Sequence, residues 1–244
     1  MELERIIYAQ GFGTRKTCRT LIRAGRVEVE GTVCTDPFQV FDIKSEDGKK
    51  GLVFSVDNEK WHYRKNAYIV LNKPKGYECS HAPIHHPSVF TLFPPPLINR
   101  GLRCVGRLDQ DTTGILLFSD DGQFIHKWSS GKKRIPKCYQ IRTTDPVNDE
   151  TVRKLKEGVV LKGETVPVSA FDCSRKGEYS LEMIILEGKY HQVKRMLVAA
   201  GNNVDALHRK SIGGFSIDDC LPEGKWLWLE ETDFNRLEDY ASAI

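Results

Sequence analysis

Apolar and polar positions follow a helical period near the N-terminus and then a strand period. Cys18, Leu21 and Ile22 recur at the three- and four-residue spacing of one helix face, between Thr14, a favourable N-cap, and Gly25, a favourable terminator. Residues 26–33 then alternate with a period of two and contain a glycine turn. The pattern predicts a short helix over residues 14–25, followed by a strand and a turn.

From residue 68 onward, short strands dominate the pattern. The strands are predicted by four apolar or alternating segments: residues 68–71, 114–118, 137–142 and 181–186. These segments do not follow a repeating strand–helix–strand order. A helix is predicted to begin near His191, with Gly201 after its end. We therefore expect an α+β fold whose larger domain has a mixed, mostly antiparallel sheet.

A charge- and glycine-rich stretch separates the two patterns between residues 44 and 66, and it contains one strand-like segment at 52–56. Such stretches are typical of domain boundaries. We predict a small N-terminal domain over residues 1–58 and a larger domain over residues 66–236.

Composition excludes several classes of protein. The 244 residues are 40% hydrophobic, which is enough for a sizeable core, and no segment reaches the ~18 apolar residues that span a bilayer. Seven cysteines are spread without a CxxC spacing, and the N-terminus lacks a signal-peptide pattern. We expect a cytoplasmic protein with reduced thiols and no membrane contact, most simply a monomer.

The net charge of +3 is small, but basic residues are concentrated on the predicted first helix. Arg15, Arg19 and Arg23 recur every four residues, with Lys16 and Arg26 nearby. A solvated helix face explains such a stripe, and so does a surface that follows RNA phosphates. The segment AGRVEVEGTVCTDP that follows resembles the S4 RNA-binding domain over about residues 1–57, and this resemblance favours RNA.

Two further segments carry candidate chemistry. GRLDQDTTGILL places Asp109 directly before a buried strand, either in a turn with a local ion pair or as a carboxylate kept ionised by a cation. LEGKYHQVKRM places His191, Lys194 and Arg195 at the start of the predicted helix, opposite an apolar face that begins with Val193. Solvated charges on an amphipathic helix are the alternative for this second segment.

The ordered set NKPKG, GRLDQDTTG, KCY and LEGKYHQVKRM resembles the pseudouridine synthases over nearly the whole chain, and the run NNVDALHRKSIGG is most similar to the RsuA-type, small-subunit rRNA branch. The resemblance implies isomerisation of uridine in ribosomal RNA or a pre-ribosomal particle, without a cofactor or metal. The target base leaves its stack to reach the site. Whether the aspartate attacks C1′, attacks C6 or removes a ribose proton stays open.

The resemblance also implies roles for individual residues. It assigns catalysis to Asp109, Tyr139 and Lys194, with Tyr139 stacking on the base and Lys194, or alternatively Arg195, pairing with the aspartate. It assigns substrate binding to Arg107, Leu186, Arg195 and His191, with Leu186 packing beneath the site. The basic residues before the tyrosine, which are either a solvated loop or an RNA contact, are expected to follow the RNA backbone: Lys132, Lys133, Arg134 and Lys137.

Other functions stay open on sequence alone. Cys79, His81 and His85 are potential zinc ligands within one short loop. A glycosidase-like hydrolase would pair Asp109 with Asp111 or Asp120. A large-subunit rRNA synthase and a non-catalytic S4-type RNA-binding or ribosome-assembly factor are the remaining alternatives.

Overall fold

The computed structural model of this chain describes residues 1–43, 51–217 and 221–240, which form two units. The charge-rich segment at 44–50 and Cys220 lie outside the described residues. One unit comprises Met1–Ala67 with Phe93–Arg103, and the other comprises Tyr68–Leu92 with Cys104–Ile244. The predicted division into two consecutive segments did not place Phe93–Arg103 in the first unit.

The first unit consists of short helices around a four-stranded antiparallel sheet of order β2-β1-β3-β4. Its elements are α1 (Leu3–Ala9), α2 (Arg15–Arg23), β1 (Val27–Val29), β2 (Thr32–Cys34), β3 (Val53–Val56), β4 (Glu59–His62) and α3 (Pro95–Asn99). The Thr14 hydroxyl accepts a hydrogen bond from the Thr17 amide at 3.2 Å, and Gly25 follows the helix end with φ +68°. Both predicted ends of α2 are therefore confirmed.

Tight backbone contacts join α3 to the chain between α1 and α2. The Asn99 side-chain amide donates to the Gly11 carbonyl at 2.9 Å, and Arg100 donates to the Gln10 side chain at 2.9 Å. A Cβ on Gly11 would lie 2.0 Å from the Pro96 carbonyl oxygen, and φ at Gly11 is +87°. Only glycine fits this approach.

The second unit is built on a large mixed sheet with helices packed against it. Its strands are β5 (Tyr68–Lys73), β6 (Arg103–Val105), β7 (Thr112–Ser119), β8 (Lys137–Thr143), β9 (Asp172–Gly177), β10 (Ser180–Ile185), β11 (Val204–Ile212), β12 (Phe215–Ser216) and β13 (Trp226–Trp228). Its α-helices are α4 (Gly122–Ser129), α5 (Asp149–Glu157), α6 (Gln192–Ala199) and α7 (Glu231–Glu238), and 3₁₀ turns span Val89–Leu92 and Gly131–Lys133.

The sheet order is β13-β5-β7-β11-β8-β10-β9, with β6 beside β7 and β12 beside β11. β7 and β11 run parallel, whereas the other pairings along this path are antiparallel. The predicted α+β class with a mixed, mostly antiparallel sheet is confirmed. Among the described residues, no helix is both long and apolar enough to cross a bilayer.

One side of the sheet is closed by α4 and α7 over a core of large apolar side chains, including Phe124, Trp128 and Leu237. The sequence did not predict α4, which begins where the Asp121 carboxylate accepts a hydrogen bond from the Gln123 amide at 2.9 Å. A site is formed by three segments: the loop before β7, the end of β10 and the start of α6.

Candidate active site

Asp109 lies in a loop between β6 and β7 that is fixed through its backbone. Gly106 begins the loop with φ +75°, and the buried side chain of Leu108 anchors its middle. The Thr112 amide donates to the Asp109 carbonyl at 3.1 Å, and the Cys79 thiol donates to the Leu108 carbonyl at 3.3 Å. The loop therefore presents the Asp109 side chain from a defined backbone.

Lys73, at the end of β5, holds the other side of this loop. Its side chain is completely buried, and its Nζ donates to the carbonyls of Pro74, Gln110 and Thr112 at 3.0, 3.3 and 2.9 Å. Burial lowers the pKa of Lys73. Lys73, in the NKPKG segment, thus stabilises the backbone of the Asp109 loop. The sequence did not predict this role for Lys73.

Two side chains from the start of α6 contact the Asp109 carboxylate. Lys194 Nζ lies 3.1 Å from Asp109 Oδ2 and 2.6 Å from Asp111 Oδ1. His191 Nε2 lies 3.2 Å from Asp109 Oδ1, and the His191 backbone has φ +48° at the N-cap of α6. This left-handed turn, unusual for a non-glycine residue, brings the ring over the carboxylate.

The charges of Lys194 and Asp111 influence each other's pKa. Burial alone would raise the pKa of Asp111, but the hydrogen bond and charge of Lys194 outweigh it and hold that pKa below its usual value. Burial would likewise lower the pKa of Lys194, but Asp111 and Asp109 raise it above its usual value. Lys194 therefore remains a cation between two carboxylates at neutral pH.

The structure distinguishes the two candidate cations on α6. Arg195 points away from Asp109: its Nη2 lies 2.9 Å from Glu164 Oε1 and donates to the Lys162 carbonyl at 2.9 Å. Glu164 also pairs with Lys189. Lys194 is therefore the partner of Asp109, and Arg195 instead ties the start of α6 to a neighbouring loop.

A pocket of about 120 Å³ opens beside Asp109. Tyr139 on β8 contributes a buried ring, and Arg107 stands exposed at the pocket edge. The pocket brings together five of the predicted catalytic and substrate-binding residues: Asp109, Arg107, Tyr139, His191 and Lys194.

Leu186 is not among the residues that line this pocket, and its packing role beneath the site stays a prediction. Ile185, the last residue of β10, is buried and lines the pocket. Leu186 is next in sequence and lines a separate cavity with Gly131 and Arg134.

The basic run before Tyr139 divides into two environments. Lys132, Lys133 and Arg134 are exposed around the second 3₁₀ turn, as an RNA-facing loop requires. Lys137 is only 8% exposed, and its Nζ donates to the Ile135 carbonyl at 3.0 Å. The prediction that Lys137 belongs to the surface run is therefore wrong, because its strand position turns it into the pocket.

The basic stripe of α2 is partly neutralised. Arg15, Lys16 and Arg23 are exposed. Arg19 forms a bidentate pair with the buried carboxylate of Glu4, whose pKa this hydrogen bond lowers. Arg26 is also paired, with both oxygens of the Asp57 carboxylate at 2.5 and 2.6 Å.

The loop with the potential zinc ligands is organised by other contacts. The His81 ring stacks on Phe90 at 3.6 Å between centroids. The Glu78 carboxylate accepts hydrogen bonds from the backbone amides of Ile84, His85 and His86. No group of three or more His, Cys, Asp or Glu residues arranged to hold a metal is found in the described residues.

Of the two alternative carboxylate pairs of a hydrolase, only Asp109 with Asp120 lacks the required geometry, because Asp111 lies beside Asp109 on the same Lys194 ammonium. Asp111 is bound to Lys194, and Asp120 follows the far end of β7. A strand of that length separates Asp120 from the Asp109 loop by about 25 Å, whereas paired carboxylates of glycosidases lie within about 10 Å.

Comparison with protein families gives two matches that cover the two patterns of the chain. A model described as RNA pseudouridylate synthase matches residues 67–199, and a model described as S4 domain matches residues 1–39.

Individual proteins match over nearly their full length. A ribosomal small subunit pseudouridine synthase A of Haemophilus influenzae is 34% identical, over 97% of this chain and 99% of its own. An uncharacterized RNA pseudouridine synthase of Bacillus subtilis is 32% identical, over 98% of this chain and 99% of its own. A crystal structure described as pseudouridylate synthase is 32% identical, covers 97% of this chain and 99% of that one, and has a TM-score of 0.67.

Proposed function

Because this chain belongs to the RNA pseudouridylate synthase family, we propose that it converts one or very few uridines of small-subunit ribosomal RNA to pseudouridine. The near full-length similarity to relatives named for the small subunit supports this choice of RNA. We place the reaction in the cytoplasm, on rRNA or an assembling particle, with the protein acting as a monomer.

The observation that carries the catalytic proposal is the Asp109 cluster. Asp109 receives contacts from Lys194 and His191 on its two oxygens, at the wall of the pocket. A carboxylate stabilised in this way can act on the sugar or base during breakage of the N1–C1′ bond. The carboxylate must face the target, so we assign Asp109 as the catalytic residue.

The remaining pocket residues suit a flipped nucleotide. Tyr139 offers a ring face on which uracil can stack, and Arg107 at the edge can hold a phosphate. The reaction breaks N1–C1′, rotates the base and forms C5–C1′; a proton leaves C5 and one joins N1. No atom is gained or lost and no electron is transferred, so the proposal needs no cofactor.

We propose that the N-terminal domain over residues 1–58 supplies RNA affinity and position, while residues 66–236 carry the chemistry. An S4 domain adds a second point of contact with the RNA, so the target uridine must lie at a set distance from a particular RNA fold. Flipping costs a few kcal/mol, and this favours a uridine in a loop, bulge or immature helix.

The test combines cells and purified protein. Pseudouridines are mapped in rRNA from cells with and without the gene, and a transcript of the affected region is treated with wild type and with Asp109→Asn. We expect one small-subunit pseudouridine to vanish in the deletion and to form in vitro with unchanged RNA mass. Asp109→Asn should bind the transcript normally but lose at least a thousandfold in rate, because the shape remains and the charge is removed.

Each other outcome contradicts a stated part of the proposal. A pseudouridine missing from the large subunit would refute the choice of RNA, and no missing pseudouridine would favour an RNA-binding factor. Activity of Asp109→Asn within tenfold of wild type would move the chemistry to another residue.

A further inference from the structure

The pocket holds a second group of polar side chains, separate from the side chains that contact the Asp109 carboxylate. Arg209 on β11 is 3% exposed; its Nε donates to the Ile115 carbonyl at 2.8 Å, while its Nη2 has no hydrogen-bond partner in the described residues. Thr112 at the start of β7 is 1% exposed, and its Oγ1 likewise lacks a partner there. Buried polar atoms without partners are rare and costly, so these two require an explanation.

Lys137 completes this cluster. Its ammonium has three donors, and the hydrogen bond to the Ile135 carbonyl satisfies one of them. Burial first, and then the nearby charge of Arg209, lower the pKa of Lys137 to about 8. Among the ion pairs of the described residues, none includes Lys137 or Arg209. Two cations are thus buried together without a carboxylate, an arrangement that burial alone opposes.

The sheet register aims the cluster into the pocket. Arg209 lies opposite Tyr139 on β8, and Lys137 is two positions before Tyr139, so the three side chains share one face. Hydrophobic side chains such as Val105 and Leu117 also line the pocket, alongside the polar residues around Asp109. A ligand stacked on Tyr139 would thus have donors beside its edge and apolar groups around it.

We propose that Arg209, Lys137 and Thr112 form a binding subsite for the carbonyl oxygens of the target uracil, and that this subsite stabilises the negative charge that the base acquires when it leaves C1′. The inference rests on the proposed isomerisation. When N1–C1′ breaks heterolytically, the bonding electron pair stays on the base and is delocalised over N1, O2 and O4. When Asp109 instead adds to C6, the electron pair displaced from the C5–C6 bond reaches O4.

Every route left open for Asp109 therefore places charge on the oxygens of the base. In this proposal Asp109 acts on a carbon of the sugar or base, and the donors Arg209, Lys137 and Thr112 bind the uracil oxygens. Fixed donors in a water-poor pocket are effective at stabilising charge that develops during reaction. The free base must also be held while it rotates, and Arg209 with Lys137 can bind either oxygen in turn.

The direct test uses barbiturate, a planar pyrimidine that is a monoanion at neutral pH, as the probe, with neutral uracil for comparison. Binding is measured by calorimetry with wild type, Lys137→Met, Arg209→Met, Thr112→Val and a matched control, Lys210→Met. Lys210 neighbours Arg209 on β11 but is exposed and paired with Glu182. We expect wild type and Lys210→Met to prefer barbiturate over uracil by at least tenfold, and the first two variants to lose this preference.

Competition with inorganic phosphate tests the other oxyanion that such donors accept. If phosphate displaces barbiturate at equal or lower concentration, the subsite holds a backbone phosphate and the assignment to the base is overturned. Equal affinity of wild type for uracil and barbiturate, or an unchanged preference in both Lys137→Met and Arg209→Met, would also overturn it.

Kinetics and stability then separate a functional from a structural role. With the transcript on which pseudouridine forms, Lys137→Met should lower kcat at least a hundredfold with little change in KM, while its melting temperature stays at or above that of wild type because a buried unpaired charge is removed. A melting temperature well below wild type would indicate a structural lysine instead. The barbiturate measurements need no RNA, so they remain informative if the proposed rRNA substrate is wrong.

Discussion

Replacement of Lys194 by methionine should separate the catalytic cation from its neighbour on α6. Methionine keeps the apolar stem and the helix but removes the ammonium that contacts both Asp109 and Asp111. The two carboxylates would then face each other with only His191 beside Asp109. We expect the rate of pseudouridine formation to fall, with RNA affinity nearly unchanged.

The size of the effect follows from the geometry. At the 3.1 Å separation of Lys194 and Asp109, a dielectric constant of about 20 gives an attraction of about 5 kcal/mol. The two side chains keep 25% and 28% of their exposure, so water screens the pair, and its loss costs about 1–3 kcal/mol. At about 1.4 kcal/mol per factor of ten, kcat should fall roughly 10- to 100-fold.

The assay is single-turnover pseudouridine formation, with RNA binding measured separately. Arg195→Met is the comparison, because Arg195 pairs with Glu164 and not with Asp109. Its rate loss should be several-fold smaller than that of Lys194→Met, although its stability should also decrease. Lys194→Arg should recover much of the rate if its longer side chain reaches both carboxylates.

Stability against pH provides an independent measure of the same contact. The lowered pKa of Asp111 contributes stability above about pH 4, the pKa of an unfolded aspartate, and this contribution is lost as pH falls through the folded pKa. The raised pKa of Lys194 contributes below about pH 10.4 and is lost as pH rises through its folded value. The difference in unfolding free energy between wild type and Lys194→Met should therefore be constant near neutrality and shrink in strong acid.

Two results would refute this reasoning. One is a rate for Lys194→Met within twofold of wild type, which would mean that His191 alone stabilises the carboxylate. The other is a larger loss for Arg195→Met than for Lys194→Met, which would make Arg195 the functional cation in the RNA complex.

The other predictions concern RNA affinity, pH and metal ions. Neutralising Arg15, Lys16 and Arg23 together should weaken rRNA binding and reduce the slope of log binding constant against log salt concentration by about 2–3. Neutralising Arg26, which is already paired, should change this slope by less than about one. Equal slopes for both variants would mean that the stripe is a solvated face. Since the pKa of Lys137 is about 8, kcat should decline above pH 8 in wild type and stay level to higher pH in Lys137→Arg. A decline of kcat at the same pH in both proteins would assign this titration to another group. Activity should survive EDTA, and a loss that zinc but not magnesium restores would revive the cysteine–histidine site.

The local sequence pattern predicted the ends of α2 and the position of the Asp109 loop. Thr14 and Gly25 bound α2 because capping and left-handed termination depend on neighbouring residues alone. The sequence also placed Asp109 before a buried strand, where the structure has β7. Such features need no knowledge of distant contacts, so periodicity and turn chemistry were sufficient.

Features that depend on distant partners were missed. The pairing of Arg19 with Glu4 removes one arginine from the basic stripe, yet the two residues are 15 positions apart and belong to different helices. Phe93–Arg103 belongs with the first unit through contacts such as Asn99 with Gly11, which are 88 positions apart. A chain that begins near residue 60 would lack Gly11 and Gln10, the hydrogen-bond partners of Asn99 and Arg100.

The error over Lys137 was avoidable, because the strand pattern already contained the answer. Lys137, Tyr139 and Ile141 are two positions apart along β8 and lie on one face of the strand, so a lysine in phase with a buried tyrosine shares its face. Arg209 follows Leu207 in the same way on β11. Assigning Lys137 to the surface run gave weight to residue type over strand phase. Where phase places a cation inside without a carboxylate, a ligand is the natural partner, and for this pocket the uracil oxygens fill that place.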